Sequence, residues 1–393
     1  MIHTTARILQ IVGVLGCFSS SVYYSICLLS AATFLRTRHF AKNVGSANAL
    51  PPVSILKALK GTDPDIYESF RSHCLQDYSQ FEIVFGVSDA DDPAVASVRQ
   101  LMREFSDLAI QLVVCQNKLG ANVKVSNLEQ MLQAARYAHL LVNDSDIRVE
   151  PDYLRRVMAP LANEDERVGM VTCLYRGVAA PTLGSKLESL GISTDFCPGV
   201  LVARQLEGGL RFGLGSTLAF RRSDLERIGG FRSMVDFLAD DYELGRRISN
   251  LGLRVILSDV AVETHLPAYD FRGFIAHQLR WARGVRDSRA GGYIGLISTF
   301  GLMWALLAVL ASRAAPWSWW VLGATVLLRF ATAIAVGRSV LQDSQLLKNL
   351  WLLPVRDLIA VAVWVASFAG HTVTWRGDRF KLKDGKLIQI APR

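Results

Sequence analysis

Charge is scarce in this 393-residue sequence: Asp, Glu, Lys and Arg make up 20% of it against 51% hydrophobic residues, and the mean hydropathy is positive. That balance excludes an ordinary soluble enzyme and puts part of the chain in lipid. Metal and disulfide chemistry based on cysteine is also missing. The six cysteines (Cys17, Cys27, Cys74, Cys115, Cys173, Cys197) form no CxxC pair and no Cys/His ligand spacing, so they read as packed thiols in a reducing compartment. His139, His265 and His277 are not spaced as metal ligands either, which argues against zinc. The hydrophobic segments are few and show no inverted repeat, against a transporter or channel.

What is there begins with a net charge of +8. The basic residues gather beside apolar runs (Arg36, Arg38, Lys42; Arg280, Arg283, Arg286, Arg289), so anionic headgroups, not nucleic acid, are the expected partner. Residues 8–35 carry no charge and exceed the roughly 20 residues that a helix needs to cross about 30 Å of hydrocarbon. A signal peptide is the competing reading, but no small-residue cleavage site precedes the basic flank, so a transmembrane anchor over 1–40 is expected. From 50 to 265 short strand-like runs alternate with amphipathic stretches, as in one soluble domain. The segment 266–290 mixes Phe271, Phe274, Ile275, Leu279, Trp281 and Val285 with arginines, the composition of an interfacial helix.

Apolar character returns at 291–312, 316–337 and 354–374, giving transmembrane or re-entrant helices over 291–375, in which Arg329 and Asp357 need partners or an interfacial position. A basic tail, 376–393, follows. The Lys/Arg bias places the central domain in the cytoplasm. Three full crossings after that domain would strand the tail on the far side. Keeping it cytoplasmic requires one segment, "LLKNLWLLPVRD" at 347–358, to lie in the interface or re-enter.

Inside the central domain "PPVSILKALKG" (51–61), "FEIVFGV" (81–87), "IQLVVC" (110–115) and "HLLV" (139–142) read as strands separated by helical stretches. This alternation predicts a parallel sheet covered on both faces, with ligands beyond the carboxyl ends of its strands. Acids sit at two of those ends: Ser88, Asp89, Asp91 and Asp92 after the second strand, and Asp144 and Asp146 after the fourth. Residues i and i+2 at a strand end point the same way, so Asp144 and Asp146 can converge on one hard divalent cation, Mg2+ or Mn2+, that neutralises a diphosphate. The plainer reading is turn and cap chemistry, with Asp92 capping the helix that starts at Pro93. Asp240 and Asp241 open a further helix, where acids suit the dipole; the sharper reading makes Asp241 a general base. Lys124 is a candidate for the donor phosphates, or a solvated lysine at a helix start. Gly213 and Gly215 either let backbone approach a sugar or make tight turns. Arg280 can serve a departing pyrophosphate as a bidentate donor.

In chain order, "VSDADDPA", "GANVKVSNL", "NDSDIRV", "RRSDLERIGG", "LADDYELG", "QLRW" and "TWRGDRFKLKDGKL" resemble the lipid-directed glycosyltransferases of GT-A type. They are most similar to the ceramide-glucosyltransferase-like family, glycosyltransferase family 21, whose pattern is D, D, D and (Q/R)xxRW. Within it, "DSDIRV", "VTCLYRGV", "FGLGSTLAFRR" and "LADDY" look closer to the bacterial hopanoid-pathway branch. The resemblance implies a Rossmann-like mixed-sheet GT-A domain and a multi-pass protein of the bacterial cytoplasmic membrane. It also implies inverting transfer of N-acetylglucosamine from a UDP-sugar donor to a lipid acceptor, bacteriohopanetetrol. The alternatives are ceramide with UDP-glucose and, further off, a polysaccharide synthase. By carry-over Asp92 contacts the nucleotide, Asp144 and Asp146 the metal and diphosphate, and Asp241 is the base. Gln278, Arg280 and Trp281 lie at the active-site mouth. His277 occupies the first position of (Q/R)xxRW, a departure that replaces a constant hydrogen-bonding group by a protonation-sensitive one.

Overall fold

The computed structural model describes residues 2–43, 50–162, 167–375 and 378–390. The side chains of Arg38 and Lys42 in the basic flank, and Arg376 and Gly377 in the tail, lie outside the described residues.

An eight-stranded sheet organises the chain between the apolar helices, in the order β3-β2-β1-β4-β7-β6-β8-β5. The first four strands are β1 (Val53–Leu59), β2 (Phe81–Val87), β3 (Ile110–Val114) and β4 (His139–Val142). They coincide with the four apolar runs and pair in parallel. Adjacent residues in β1 serve opposite faces, Ile55 in one apolar core and Leu56 in the other, as expected of a strand covered on both sides. Beyond β4 the sheet departs from a purely parallel one. β5 (Ile147–Arg148), β6 (Val168–Val178), β7 (Leu218–Arg221) and β8 (Arg254–His265) complete it, with β7 antiparallel to both β4 and β6, and β5 antiparallel to β8. The antiparallel β7 brings the 213–217 loop back beside the end of β4. All six cysteines are free thiols and all but Cys74 are buried.

Among the described residues three helices are long and apolar enough to cross a membrane, Thr4–Thr37, Pro316–Val340 and Leu346–Ser367, and a fourth candidate is the pair Ala290–Thr299 and Gly301–Ala311, bent by 50°. The Ile2–Asn43 helix runs antiparallel to Gly301–Ala311: Gln10 Nε2 donates to Ala311 O at 2.9 Å and the Tyr24 hydroxyl to Thr299 O at 2.9 Å. Arg329 and Asp357 are each other's partners at 2.7 Å, and Arg329 also meets Asp195 at 2.6 Å. The stretch 347–358 shows no comparable bend. It leads into the Leu353–Ser367 helix, which lies alongside Phe271–Ser288 in the same direction: Arg356 Nη2 donates to Gln278 Oε1 at 3.0 Å near one end, and Arg286 reaches Ser367 O near the other.

The third apolar run stops at Ser367, and the stretch read as a basic tail is folded. Its strands β10 (Asp378–Lys383) and β11 (Lys386–Gln389) form an antiparallel sheet with β9 (Thr372–Trp375), which precedes it.

The first helix is closely fitted to its neighbour. A Cβ on Gly16 would stand 2.2 Å from the Trp304 ring. Gly16→Leu is expected to cost about 2 kcal/mol by overpacking and to lower the thermal midpoint in detergent.

Candidate active site

The turn after β4 is built around buried polar groups. Asn143 Nδ2 donates to Tyr153 Oη at 2.9 Å and to Ser216 O at 2.6 Å, and Asp144 N donates to Gly215 O at 3.1 Å. The same Gly215 peptide turns its N–H to Asp241 Oδ2 at 2.8 Å. One glycine therefore bridges the D-x-D turn and the Asp240–Asn250 helix. A Cβ at 215 would stand 2.7 Å from Asp144 Oδ2 and 3.4 Å from Asp241 Oδ2, and one at 213 would strike Leu218 at 2.3 Å. Both glycines are close-approach positions.

Lys124 sits among the acids. The Val123–Met131 helix that carries it is capped by Asn122, and its Nζ lies 2.6 Å from Asp144 Oδ1 and 3.1 Å from Asp240 Oδ2. Burial opposes its charge, but Asp144, Asp240 and Asp241 more than offset that and hold it protonated. Asp241 is pushed up to about 6, by burial first and then by Asp240, with Lys124 opposing. Asp146 is also pushed up to about 6, by burial and by Asp144, while Thr264 donates to its Oδ2.

Beneath the turn lies a residue that sequence reasoning missed. Lys57, in the middle of β1, is 0% exposed and donates to Asp144 O at 3.0 Å. Burial lowers its pKa to about 7 against the pull of Asp146, Asp144 and Asp63. A lysine in an apolar strand gives no signal from pattern alone.

Asp92 lies at the neighbouring strand end, where its carboxylate accepts from Gly61 N at 2.9 Å and Ala94 N at 2.9 Å. These contacts make it a cap and a loop clamp. The loop it clamps reaches the D-x-D turn through Asp63, which accepts from Ser145.

The pentapeptide 277–281 lies on the Phe271–Ser288 helix. His277 stacks on Tyr269 with ring centres 5.3 Å apart and neighbours Trp281 at 5.6 Å. Trp281 meets Phe196 edge-on at 5.8 Å, and Phe196 lies against Tyr175 at 5.2 Å. Tyr269 is pushed up to about 12, chiefly by burial and then by Glu188, with Arg280 opposing and Asp146 and Asp63 adding to the rise. The aromatic row therefore carries the motif's His277 and Trp281, with Tyr269 at its end within electrostatic range of Asp146 and Asp63. Gln278 is engaged elsewhere: its amide donates to buried Glu188 Oε2 at 2.8 Å and accepts from Arg356. His277 Nδ1 is 3.3 Å from Glu188 Oε1. A cleft of about 450 Å3 lined by Arg71, Arg148, Arg176, Glu68, Glu150 and Glu263 contains none of the acids above.

A family model described as glycosyl transferase family 21 matches residues 12–388. The chain belongs to glycosyl transferase family 21. It is a glycosyltransferase. Ceramide glucosyltransferase 1 of Caenorhabditis elegans is 23% identical over 388 residues, covering 96% of this chain and 81% of that protein. Ceramide glucosyltransferase 3 of the same organism is 23% identical over 355 residues, covering 87% and 75%. Among solved structures, a mannosyltransferase from Pyrobaculum calidifontis in complex with GDP-Man and Mn2+ superposes with a TM-score of 0.51 at 20% identity, covering 91% of this chain and 99% of that one. The fold of this family 21 enzyme is therefore GT-A, and its apolar helices associate it with a membrane.

Lys57→Met keeps the side-chain volume but removes the counter-charge facing Asp146, Asp144 and Asp63 and leaves the Asp144 carbonyl without its donor, a loss of about 1–3 kcal/mol. The variant is expected to melt at a lower temperature and, assayed where it is still folded, to turn over roughly 10- to 100-fold more slowly than the wild type.

Proposed function

We propose that this enzyme transfers a sugar from a UDP-sugar, UDP-N-acetylglucosamine, to a hydroxyl of a membrane lipid, bacteriohopanetetrol, with inversion at the anomeric carbon. The observation that carries the reading is the Gly215 peptide, which hydrogen-bonds the D-x-D turn on one side and Asp241 on the other. The donor's diphosphate end and the base that activates the acceptor then share one site. Asp241, with its proton affinity raised toward neutrality, suits a general base at cellular pH. It takes the acceptor hydroxyl proton while that oxygen forms its bond to the anomeric carbon, and the bond to UDP breaks on the opposite face.

Asp144 and Asp146 are the residues that would hold a divalent cation. Among the described residues no three His, Cys, Asp or Glu side chains are grouped to hold a metal alone. Two carboxylates, one with its proton affinity raised by the other, suit a Mg2+ or Mn2+ ion that completes its shell with phosphate and water. Such an ion supplies charge neutralisation on the leaving diphosphate. Lys124 and Arg280 add positive charge on the same side, and Asp92 supports the loop against the nucleotide. His277 and Trp281 line the acceptor mouth, with Gln278 fixed behind them by Glu188 and Arg356. We assign the protein to the bacterial cytoplasmic membrane, its catalytic domain facing the cytoplasm beside the basic flank at Arg36.

Transfer of glucose to ceramide is the second reading, favoured by the two nematode relatives, both ceramide glucosyltransferases. Incubating the purified protein with a panel of UDP-sugars against hopanoid polyol and ceramide, with product mass spectrometry, separates the two. Sugar on the polyol supports the first reading, and sugar on ceramide alone overturns it. Asp241→Asn is expected to lower turnover about 1000-fold with UDP-sugar affinity, by calorimetry, within about threefold. A base must be ionised, so wild-type turnover is expected to fall as pH drops through about 6 and to level off above it, measured as a pH–rate profile at saturating substrates.

A further inference from the structure

We propose that the C-terminal sheet β9–β11 is a positioning element of the active site: it holds the loop that presents Asp240 and Asp241 and ties that loop to the motif helix. The inference rests on the role proposed for Asp241 above.

The loop from Val235 to Asp240 is gripped from two sides. On one side stands the segment that opens the helix of Lys124. Asn122 N donates to Val235 O at 2.6 Å, Ala121 N to Asp236 Oδ1 at 2.9 Å, and Asn122 Nδ2 to Phe237 O at 2.8 Å. On the other side stands the sheet. Leu238 N donates to Gly385 O at 3.0 Å and Leu387 N to Asp236 O at 2.7 Å. Phe237 and Lys386 form an antiparallel bridge, with the Lys386 ammonium 5.4 Å from the Phe237 ring centre. Val373, Phe380, Leu382 and Leu387 make a small apolar cluster against Leu238 and Ala121. Two charged residues depend on this loop: Asp241, and Asp240, which pairs with Lys124.

The sheet also reaches the membrane-side helices. Its β10–β11 turn has positive φ at Asp384 and Gly385, and Gly385 N donates to Asp287 Oδ2 at 2.5 Å. Arg283 Nη1 donates to Thr372 O at 2.7 Å, and Arg286 Nη2 to Gly370 O at 2.7 Å. Asp287, Arg283 and Arg286 all belong to the helix that carries the 277–281 motif. One short sheet thus fixes the motif helix and the base-bearing loop relative to each other. A reaction that joins a lipid hydroxyl to a bound sugar is sensitive to that spacing at the ångström level.

A topological consequence follows. A sheet hydrogen-bonded to the catalytic loop lies on the same side of the membrane as Asp241, so the chain between Ser288 and Thr372 crosses an even number of times. The bent pair 290–311 and the span 316–340 supply two crossings, and 346–367, which follows the motif helix, lies along the membrane surface.

Phe237→Cys with Lys386→Cys tests docking directly, since residues opposite each other in an antiparallel pair are within disulfide reach. Mild oxidation in native membranes is expected to cross-link the pair. Leu387→Asp is expected to lower turnover at least about 30-fold, with UDP-sugar affinity within about threefold. In the triple variant oxidation is expected to restore most of the activity and reductant to remove it again. Wild-type turnover in Leu387→Asp, or no cross-link, overturns the proposal. An impermeant maleimide is expected to label Lys383→Cys and Arg99→Cys, both exposed positions, from the same side; labelling from opposite sides overturns it equally. Cross-link yield does not depend on catalysis, so a wild-type protein that cross-links when given the two cysteines yet binds no UDP-sugar would fail the proposed function alone.

Discussion

Carboxylates crowded at the carboxyl ends of β1 and β4 repel one another, and two lysines, Lys57 buried and Lys124 partly so, make the arrangement tolerable. Lys124 answers Asp144 and Asp240 from the side, and Lys57 holds the Asp144 carbonyl from below while its charge faces Asp146 and Asp63. Burial first, and then the neighbouring carboxylates Asp144 and Asp240, push Asp146 and Asp241 up to about 6. A site balanced in this way suits the cation and the general base proposed for it. The glycines at 213 and 215 belong to the same constraint, because any side chain there would force the two acidic segments apart.

A second layer links this centre to the lipid side. Tyr269, His277, Trp281, Phe196 and Tyr175 form a continuous aromatic row. Behind it runs a chain of buried polar contacts from Glu188 through Gln278 to Arg356, Asp195 and Arg329. Each cation in that chain meets an acid or a carbonyl, the condition for charge at the depth of apolar helices. The row of rings gives an apolar surface that ends at polar groups, suited to a molecule that is itself apolar with a hydroxylated end.

The first four strands were legible because strands buried on both faces read as unbroken Val, Ile, Leu and Phe runs, and their ends were marked by Asp92, Asp144 and Asp146. Arg329 and Asp357 were each legible as a charge in an apolar run that demands a partner or an interfacial position; that they pair with each other was not. Lys57 was not, since nothing local separates a buried lysine from one at a strand edge; its meaning depends on β4 lying alongside. The antiparallel β7 was equally silent, because strand direction is fixed by long-range pairing. The C-terminal sheet was hidden by its composition. "DRFKLK" and "KLIQ" alternate charged and apolar residues, and their inward positions, Phe380, Leu382 and Leu387, find a core only against Leu238 and Ala121.

The bend between Thr299 and Gly301 interrupts a helix at a depth where backbone groups have no water to turn to. Tyr24 fills the gap, its hydroxyl donating to Thr299 O and accepting from Gly301 N at 3.3 Å, while Trp304 Nε1 covers Ile297 O at 2.8 Å. The broken segment is therefore poorly soluble in lipid until the first helix stands beside it. Synthesis delivers that helix first, 275 residues ahead of Thr299, so a helix long and apolar enough to enter a bilayer is in place as the template on which the last part of the chain assembles.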